Sequence, residues 1–321
     1  MRETCSIFTG SAHPILAEAI ARELAIPLSA RSLARFPDGE LGLALETSVR
    51  GREVFLVNPT CPPVDEHLME VLAFADACRR AAAARTTAIM PYFGYARADK
   101  RKGQRVPITA SMVAQLLQAV GIEHIVTLDL HTPQIEGFFS IPVDELSAVP
   151  VLADALKPTL PEQCVVVSPD TGRVAMATYY AQRLGTSVVV LHKRRESGTQ
   201  TEVTHVVGEV RGRACLIVDD MIATGGTLAR SIDALLAAGA RADITIAATH
   251  GLFVGQAREE LQRPDVRAIY VTDTVPVQTA DWPQLRVVSV APLIARAIQR
   301  FLANGSLSTL SKANNIHPRG G

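Results

Sequence analysis

Short, unbroken apolar runs alternate along the chain with segments in which apolar residues recur every three or four positions. The runs predict buried strands, and the segments predict amphipathic helices. Because unbroken apolar strands that alternate with helices are typical of parallel sheets covered on both faces, we predict an α/β fold. The predicted strands are 6–10, 53–58, 87–91, 125–130, 164–169, 187–191, 215–218, 244–249, 268–272 and 287–290. The predicted helices include 15–25, 66–84, 110–119, 174–184 and 228–238.

The periodicity weakens around the proline-spaced residues 142–150. A domain boundary placed there gives an N-terminal domain, 1–148, a C-terminal domain, 149–310, and a flexible polar tail, 311–321. Each domain has the size of one doubly wound unit with a mostly parallel sheet. Ligands of such sheets bind beyond the carboxyl ends of the strands, so we expect the chemistry at those ends.

Composition narrows the classes of protein that remain. The 321 residues include 32 basic and 32 acidic side chains, which gives a formal net charge of zero. Nucleic-acid-binding proteins usually carry a basic excess, so we predict no nucleic-acid partner. The five cysteines are odd in number and scattered, which argues against a disulfide framework or a zinc site and favours a reducing cytoplasm. We expect no signal peptide and no membrane partner, since neither type of apolar core occurs.

The strongest motif spans residues 216–228, where an apolar strand ends in an acidic pair, Asp219 and Asp220. A turn of small residues follows, and then a predicted helix. Glycines let the backbone approach an anion closely, and the N–H groups and dipole at a helix start favour phosphate. The acidic pair can accept hydrogen bonds from vicinal sugar hydroxyls or touch a metal. The turn residues, called here the glycine turn, are Thr224, Gly225, Gly226 and Thr227.

An ordinary strand–turn–helix corner is the alternative for this motif, but a corner rarely needs two adjacent acids and four small residues. No Gly-Lys-Ser/Thr follows, so the motif is not a Walker A loop. The segment resembles the ribose-5-phosphate loop shared by type I phosphoribosyltransferases and ribose-phosphate pyrophosphokinases. On its own it does not separate these two families.

Two segments of the first half bear on that choice. Phe36 precedes Asp38 and Glu40, so a ring could stack on a purine while two acids accept from its amine. The Pro-Asp-Gly sequence among them is also a strong turn former, so a hairpin turn is the alternative. Five basic residues then lie between Arg97 and Arg105, directly after an apolar strand. Arginines there can clamp a polyphosphate, although a solvated charged loop is the alternative.

Four further candidate residues follow predicted strands. His131 has an acid and an amide nearby, which favours a site residue over a structural histidine. Asp170 precedes a predicted helix, where it could bind a metal or cap the helix. Lys193 and Arg195 open a polar segment that reaches Thr201. We interpret this segment as a strandless, mobile lid whose cations act in the transition state.

In this order the segments resemble ribose-phosphate pyrophosphokinases over residues 5–310. The resemblance implies two tandem phosphoribosyltransferase-type, Rossmann-like domains with mostly parallel sheets. It implies a Mg²⁺-dependent enzyme of nucleotide biosynthesis that moves the β,γ-diphosphate of ATP to the 1-hydroxyl of ribose 5-phosphate and releases AMP. The implied partners are those two substrates and further copies of the chain, as a hexamer or its dimer units.

The resemblance also implies roles for single residues. The residues that it assigns to ATP are Phe36, Asp38, Glu40, Arg97 and His131, the adenine contacts being made to a neighbouring subunit. Those that it assigns to the metal are His131 and Asp170. Those that it assigns to ribose 5-phosphate are Asp219, Asp220, Thr224, Gly225, Gly226 and Thr227. The catalytic residues are Lys193 and Arg195, and the regulatory phosphate site includes Ser48 and Arg50.

The chain departs from the family pattern at several positions. The family usually has glutamine at Ala98, a second glycine at Arg173, a basic residue at Met176 and, often, aspartate at Ala223. Gln104 stands where a serine is expected, which weakens the case for regulation by phosphate and ADP. Three alternatives stay open: a type I phosphoribosyltransferase, a non-catalytic nucleotide-binding regulatory homologue, and the same chemistry on another pentose phosphate.

Overall fold

The computed structural model describes residues 5–101, 103–195 and 202–310. The predicted tail and residues 196–201 of the predicted lid lie outside this part of the chain. The chain divides into two compact units. The first unit runs to Ser147 and also contains Thr274–Pro276 and the segment that begins at Ser289, whereas the second comprises Ala148–Asp273 and Val277–Val288.

The elements follow one another in an α/β order. The strands are β1 (Cys5–Thr9), β2 (Arg31–Arg35), β3 (Leu41–Leu45), β4 (Glu53–Val57), β5 (Arg85–Met90), β6 (His124–Leu128), β7 (Val143–Leu146), β8 (Val165–Ser168), β9 (Val188–Arg195), β10 (Glu202–Val207), β11 (Cys215–Ile222), β12 (Ile244–Gly251), β13 (Val266–Thr272) and β14 (Leu285–Val288). The helices are α1 (Pro14–Leu24), α2 (Val64–Arg80), α3 (Thr109–Ala119), α4 (Val149–Leu156), α5 (Val174–Leu184), α6 (Gly226–Ala237), α7 (Ala257–Leu261) and α8 (Ala291–Leu302). Short 3-10 segments span Pro133–Phe138 and Thr171–Arg173.

The first unit contains a parallel sheet in the order β1-β4-β5-β6-β7. Its strands are unbroken apolar runs because both of their faces are covered. Fully buried side chains of strands and helices, among them Phe8, Leu56, Phe74, Met90 and Leu117, form its core. Strands β2 and β3 pair separately as an antiparallel hairpin.

The C-terminal helix α8 packs against α1 and therefore belongs to the first unit. Its Phe301 ring meets the Phe55 ring edge-on at 5.8 Å and the His124 ring at 4.7 Å. The Arg85 guanidinium lies 4.4 Å from the centroid of the same Phe301 ring. The two units differ from the domain ranges predicted from the sequence, which included α8 in the C-terminal domain. The contacts of α8 place it with the N-terminal strands in the first unit.

The second unit contains a sheet in the order β10-β9-β8-β11-β12-β13-β14. All of its pairings are parallel except that of β9 with β10. Its core joins strand residues such as Val165, Ile217, Ile246 and Ile269 to helix residues such as Leu235. The predicted α/β fold class with mostly parallel sheets is confirmed by these two units.

One prediction about local structure was wrong. Strand β9 does not end at Leu191 but continues to Arg195, because the antiparallel partner β10 supplies backbone hydrogen-bond partners there. The charged residues after Leu191 are thus part of a strand, and the lid is not strandless on this side. Residues 142–150, where the domain boundary was predicted, contain β7 and the start of α4, and the first segment of the first unit ends among them, at Ser147.

The described residues contain no helix that is both long and apolar enough to cross a membrane. All five cysteines are buried, and none of them forms a disulfide bond. Burial raises the pKa of the Cys61, Cys78 and Cys164 thiols to about 11. At neutral pH these thiols are therefore protonated and inert.

Candidate active site

The acidic pair lies near the carboxyl end of the buried strand β11. The Asp220 side chain is only 2% exposed, and that of Asp219 is 16% exposed. The backbone N–H of Asp220 donates to Asp219 Oδ1 at 2.8 Å. The strand thus carries two adjacent carboxylates into a largely desolvated position, which costs free energy unless a cation accompanies them.

That cation is the guanidinium of Arg173, which ends the 3-10 segment after β8. Its Nε donates to Asp219 Oδ1 at 3.0 Å, and its Nη2 lies 2.9 Å from Asp220 Oδ1. The Arg173 side chain is itself only 13% exposed. Sequence reasoning treated this residue as a departure from the family and missed its contact with the acidic pair.

Burial and the charges of Asp220 and Arg173 all act on the ionisation of Asp219. Burial raises the pKa of Asp219 well above its ordinary value, and the like charge of Asp220 beside it raises the pKa further. The positive charge of Arg173 opposes both and lowers the pKa of Asp219. The arginine therefore favours the ionised form, which accepts hydrogen bonds and does not donate them.

The glycine turn connects β11 to α6. Gly225 caps the helix with φ 80°, a left-handed conformation in which a side chain is strained. A Cβ atom on Gly225 would also meet the Ala257 carbonyl and the Leu261 side chain at 3.2 Å. A Cβ on Gly226 would meet only the end of the Arg230 side chain, at 3.5 Å. Thus Gly225 is needed for the backbone path, whereas Gly226 keeps the helix start open.

Helix α6 begins at Gly226 without a side-chain hydrogen bond to its first turn from any described residue. Its first N–H groups are therefore oriented like those of other anion-binding helix starts. Thr224 is exposed and Thr227 is half-buried on either side of the glycines. The structure brings the six predicted sugar-phosphate residues together in one continuous corner of the second unit.

Asp170 lies beyond the end of β8 and caps the following 3-10 segment. Its Oδ1 accepts from the Gly172 N–H at 2.8 Å, so the capping alternative describes this oxygen correctly. The second oxygen, Oδ2, makes no hydrogen bond with any described residue. Asp170 can therefore cap the segment and still offer one carboxylate oxygen to a ligand.

Lys193 and Arg195 lie on β9, opposite Thr204 and Glu202 of β10. The backbone of both residues is in the ladder, while their side chains lie outside the described part of the molecule. The structure thus gives the strand position of the two predicted catalytic cations and leaves their contacts untested.

In the first unit, a basic loop follows β5, defined here as the described residues of 97–105. Arg97 and Lys100 are exposed, and neither forms an ion pair with a described residue. Together with apolar neighbours they line a cavity of about 640 Å³. Its lining includes Val64, Tyr92, Tyr95, Val106, Pro107 and Thr109. A cavity with an apolar wall and two unpaired cations suits a ligand that carries both a ring and phosphates.

Asp99 ties this basic loop to the segment after β6. It is buried, and its Oδ2 accepts from the Thr132 hydroxyl at 2.7 Å and from Gln134 Nε2 at 2.5 Å. His131, which is half-buried, directly precedes Thr132. The structure therefore brings the predicted Arg97 and His131 segments together through one carboxylate, a role that sequence reasoning missed.

Phe36, Asp38 and Glu40 lie in the turn between β2 and β3. The Gly39 N–H donates to the Phe36 carbonyl at 2.8 Å, so the hairpin-turn alternative is correct for the backbone. The Phe36 side chain is nevertheless 57% exposed, and both acids are exposed as well. A ring displayed in this way can contact a ligand or a neighbouring subunit.

The two regulatory candidates, Ser48 and Arg50, flank a buried valine. Both are exposed, and Val49 between them is 1% exposed. The buried residue fixes the backbone there, while the flanking side chains face solvent. Their predicted role as a phosphate site stays a prediction.

Known proteins resemble this chain along most of its length. Residues 5–121 match the family described as the N-terminal domain of ribose phosphate pyrophosphokinase, and residues 153–283 match the phosphoribosyl transferase domain family. A ribose-phosphate pyrophosphokinase of Wolinella succinogenes is 43% identical over 304 residues, which are 95% of this chain and 98% of the relative. One of Corynebacterium efficiens is 44% identical over 308 residues, covering 95% and 94%.

A solved structure is also similar to this chain over nearly its whole length. The crystal structure of phosphoribosylpyrophosphate synthetase from Mycobacterium smegmatis superimposes with a TM-score of 0.88 at 41% sequence identity. The match covers 94% of this chain and 100% of that one. The predicted family and enzyme class are confirmed by these similarities, and the chain belongs to the ribose-phosphate pyrophosphokinase family.

Proposed function

We propose that the protein transfers the β,γ-diphosphate of ATP to the 1-hydroxyl of ribose 5-phosphate, giving phosphoribosyl diphosphate and AMP. The observation that carries the proposal is the corner formed by the acidic pair and the glycine turn. It combines paired hydrogen-bond acceptors with an uncapped helix start, in a chain whose relatives are named ribose-phosphate pyrophosphokinase. A pentose phosphate needs both features, since one end carries hydroxyls and the other a dianion.

The acidic pair binds the vicinal hydroxyls of the sugar in this proposal. Asp219 and Asp220 accept from them, and the first N–H groups of α6 with the threonine hydroxyls bind the 5-phosphate. Such contacts fix the sugar so that its 1-hydroxyl attacks the β-phosphorus in line. The bond that forms joins the 1-oxygen to the β-phosphorus, and the bond that breaks joins this phosphorus to the α,β-bridging oxygen. AMP leaves with that oxygen, and the proton of the 1-hydroxyl passes to water.

ATP is assigned to the first unit. The Arg97 guanidinium binds phosphate oxygens, with the apolar wall of the cavity beside it. His131 lies in the segment that Asp99 ties to the basic loop, so it serves the same ligand. Phe36 stacks on the adenine of a nucleotide held by a neighbouring subunit, and Asp38 and Glu40 accept from its amine. The exposure of all three residues supports this part of the proposal.

The described residues contain no cluster of three or more side chains that could hold a metal ion on their own. This fits magnesium, which keeps several waters and binds through one or two protein groups together with substrate phosphates. As the family resemblance implies, we propose Asp170, whose Oδ2 makes no hydrogen bond with any described residue, and His131 as metal contacts. Bound there, Mg²⁺ would neutralise phosphate charge during the transfer.

Lys193 and Arg195 are assigned to the charge that builds up in the transition state. Removal of one such cation is expected to lower kcat about 10²- to 10³-fold, as for other electrostatic stabilisers. We further propose that the enzyme works in the cytoplasm as a homo-oligomer, a hexamer or its dimer units.

The proposal is tested by incubating the purified protein with Mg-ATP and a panel of pentose phosphates, followed by identification of the products by mass. Phosphoribosyl diphosphate and AMP should form from ribose 5-phosphate without any nucleobase. A type I phosphoribosyltransferase would be inactive in that mixture, and a regulatory homologue would bind ATP without turnover. Preference for another pentose phosphate would keep the chemistry and replace the acceptor.

A further inference from the structure

We propose that Arg173 is a positioning residue of the sugar-phosphate site: its guanidinium is a built-in cation that holds both carboxylates of the acidic pair ready for sugar hydroxyls, so that the pair needs no metal ion. The inference rests on the proposed sugar site. It adds a residue that neither the acidic pair nor the glycine turn contains.

The first argument is charge. Two carboxylates that follow one another on a strand repel, and both are mostly removed from water, at 2% and 16% exposure. Such a pair is stable in its ionised form only with a cation close by. Arg173 meets this need with separate donors, Nε for one acid and Nη2 for the other. A planar fork of this kind holds both carboxylates in a fixed geometry, whereas a lysine ammonium is a point charge without such a fork.

The second argument concerns how the fold fixes the position of Arg173. Arg173 ends the 3-10 segment that Asp170 caps, immediately before α5. The strand that leads into this segment, β8, is the hydrogen-bonded neighbour of β11. The cation therefore comes from the adjacent strand of the same sheet through a short, capped connection. Its position is set by the fold of the second unit and does not depend on a ligand.

The third argument concerns the number of hydrogen bonds that the two carboxylates can accept. A carboxylate offers about four lone-pair sites, so an acid that accepts from one guanidinium nitrogen can still accept from a hydroxyl. A divalent cation at the same place would compete with those hydroxyls for the oxygens. With Arg173 present, the pair is neutralised in part and stays open to sugar. Without it, two bare adjacent carboxylates become a metal ligand set of the kind that Mg²⁺ and Mn²⁺ bind.

The test compares Arg173→Met, which removes the charge, with Arg173→Lys, which keeps the charge and loses the fork. Arg183→Met is the matched control, because Arg183 also pairs with an aspartate, Asp154 at 2.9 Å, on the exposed surface. Ribose 5-phosphate binding is measured by calorimetry in EDTA without nucleotide. Mn²⁺ binding is measured by electron paramagnetic resonance without either substrate.

Arg173→Met should weaken ribose 5-phosphate binding about tenfold to a hundredfold, the size expected for the loss of charge-assisted hydrogen bonds. It should also bind one more Mn²⁺ per chain than the unaltered protein, and added Mn²⁺ should restore part of the sugar-phosphate affinity. Arg173→Lys should give values between those of Arg173→Met and the unaltered protein. The Arg183→Met control should match the unaltered protein in both assays.

An unchanged affinity for ribose 5-phosphate in Arg173→Met, with no additional Mn²⁺, would overturn the inference and leave a purely structural ion pair. If Arg173→Met does not fold, the same two measurements on Arg173→Lys decide, since its charge is retained. If the unaltered protein does not bind ribose 5-phosphate, the proposed function fails. The Mn²⁺ count of the variant then still reports whether Arg173 replaces a metal at the acidic pair.

Discussion

The two units solve opposite electrostatic problems at their strand ends. In the second unit the acids are buried, and one largely buried arginine bridges them. In the first unit the cations Arg97 and Lys100 are exposed, and among the described residues the buried acid Asp99 accepts only from neutral donors. The comparison shows that a buried acidic pair requires a counter-charge within the protein, whereas exposed cations are stable in water until a charged ligand binds.

Arg173→Met should break the acidic side of this comparison with the largest effect. Removing the arginine leaves two adjacent, mostly buried carboxylates without a counter-charge, at a cost of about 3–5 kcal/mol. The free energy of unfolding in urea should fall by this amount. The double variant Asp220→Asn with Arg173→Met should recover much of the loss. A cost below that of a surface ion pair would show that Asp220 does not need the arginine.

Gly225→Ala tests whether the corner beside the acidic pair depends on its backbone path. The substitution places a Cβ on a left-handed residue and against α7, so it should destabilise the protein by about 2 kcal/mol. Gly226→Ala is the matched control, since its Cβ meets no backbone. It should leave stability nearly unchanged in urea and weaken phosphate binding only. Equal losses in both variants would contradict the distinct roles given to the two glycines.

Asp99→Ala tests the first unit. The Thr132 and Gln134 donors would lose their acceptor, which should cost about 1–2 kcal/mol, less than the loss of a charged partner in the second unit. The larger consequence should be functional, because the basic loop and the His131 segment are no longer tied. We expect the KM for ATP to rise while the KM for ribose 5-phosphate stays unchanged. A parallel rise in both values would mean that Asp99 supports the whole fold.

Asp243→Asn tests the comparison at an ion pair whose arginines are partly exposed, and its effect on stability should be the smallest. Asp243 pairs with Arg267 at 2.6 Å and Arg241 at 2.5 Å, but both arginines are 46% exposed. Hydrogen bonds from Arg267 and Arg241 lower the pKa of Asp243. Its contribution is therefore present above the ordinary carboxyl pKa and is lost as the pH falls through the lowered value. The variant should lose about 1 kcal/mol or less at pH 7, and nothing at acid pH.

The sequence pattern located the buried strands and several helices well, because burial on both faces produces unbroken apolar runs. Helix α5, predicted as 174–184, has those bounds in the structure. Elements with weaker burial were missed, such as the edge strand β10. The pattern did contain the signal for α8, since Leu293, Ile294, Ala297 and Ile298 recur at helical spacing and are buried.

The site was predictable where it is continuous in sequence and not where it is assembled by pairing. The acidic pair and the glycine turn occupy one stretch, so their residue types indicated a phosphate site beside acceptors for sugar hydroxyls or a metal, and the family resemblance implied ribose 5-phosphate. Arg173 lies 46 residues from Asp219, and the two meet because β8 and β11 are neighbours in the sheet. Strand order is set by tertiary packing. The sequence pattern therefore did not show that the arginine after β8 contacts the acidic pair of β11.

The packing of α8 on α1 has a consequence for synthesis of the chain. A ribosome that has just completed the second unit has not yet made Phe301, whose ring contacts Phe55, His124 and Arg85. Domains generally fold as they emerge, N-terminal part first. Here the strands that emerge first contact a helix that is made only after β14 of the second unit, so the nascent first unit leaves its Phe301 contact surface uncovered until α8 has been made.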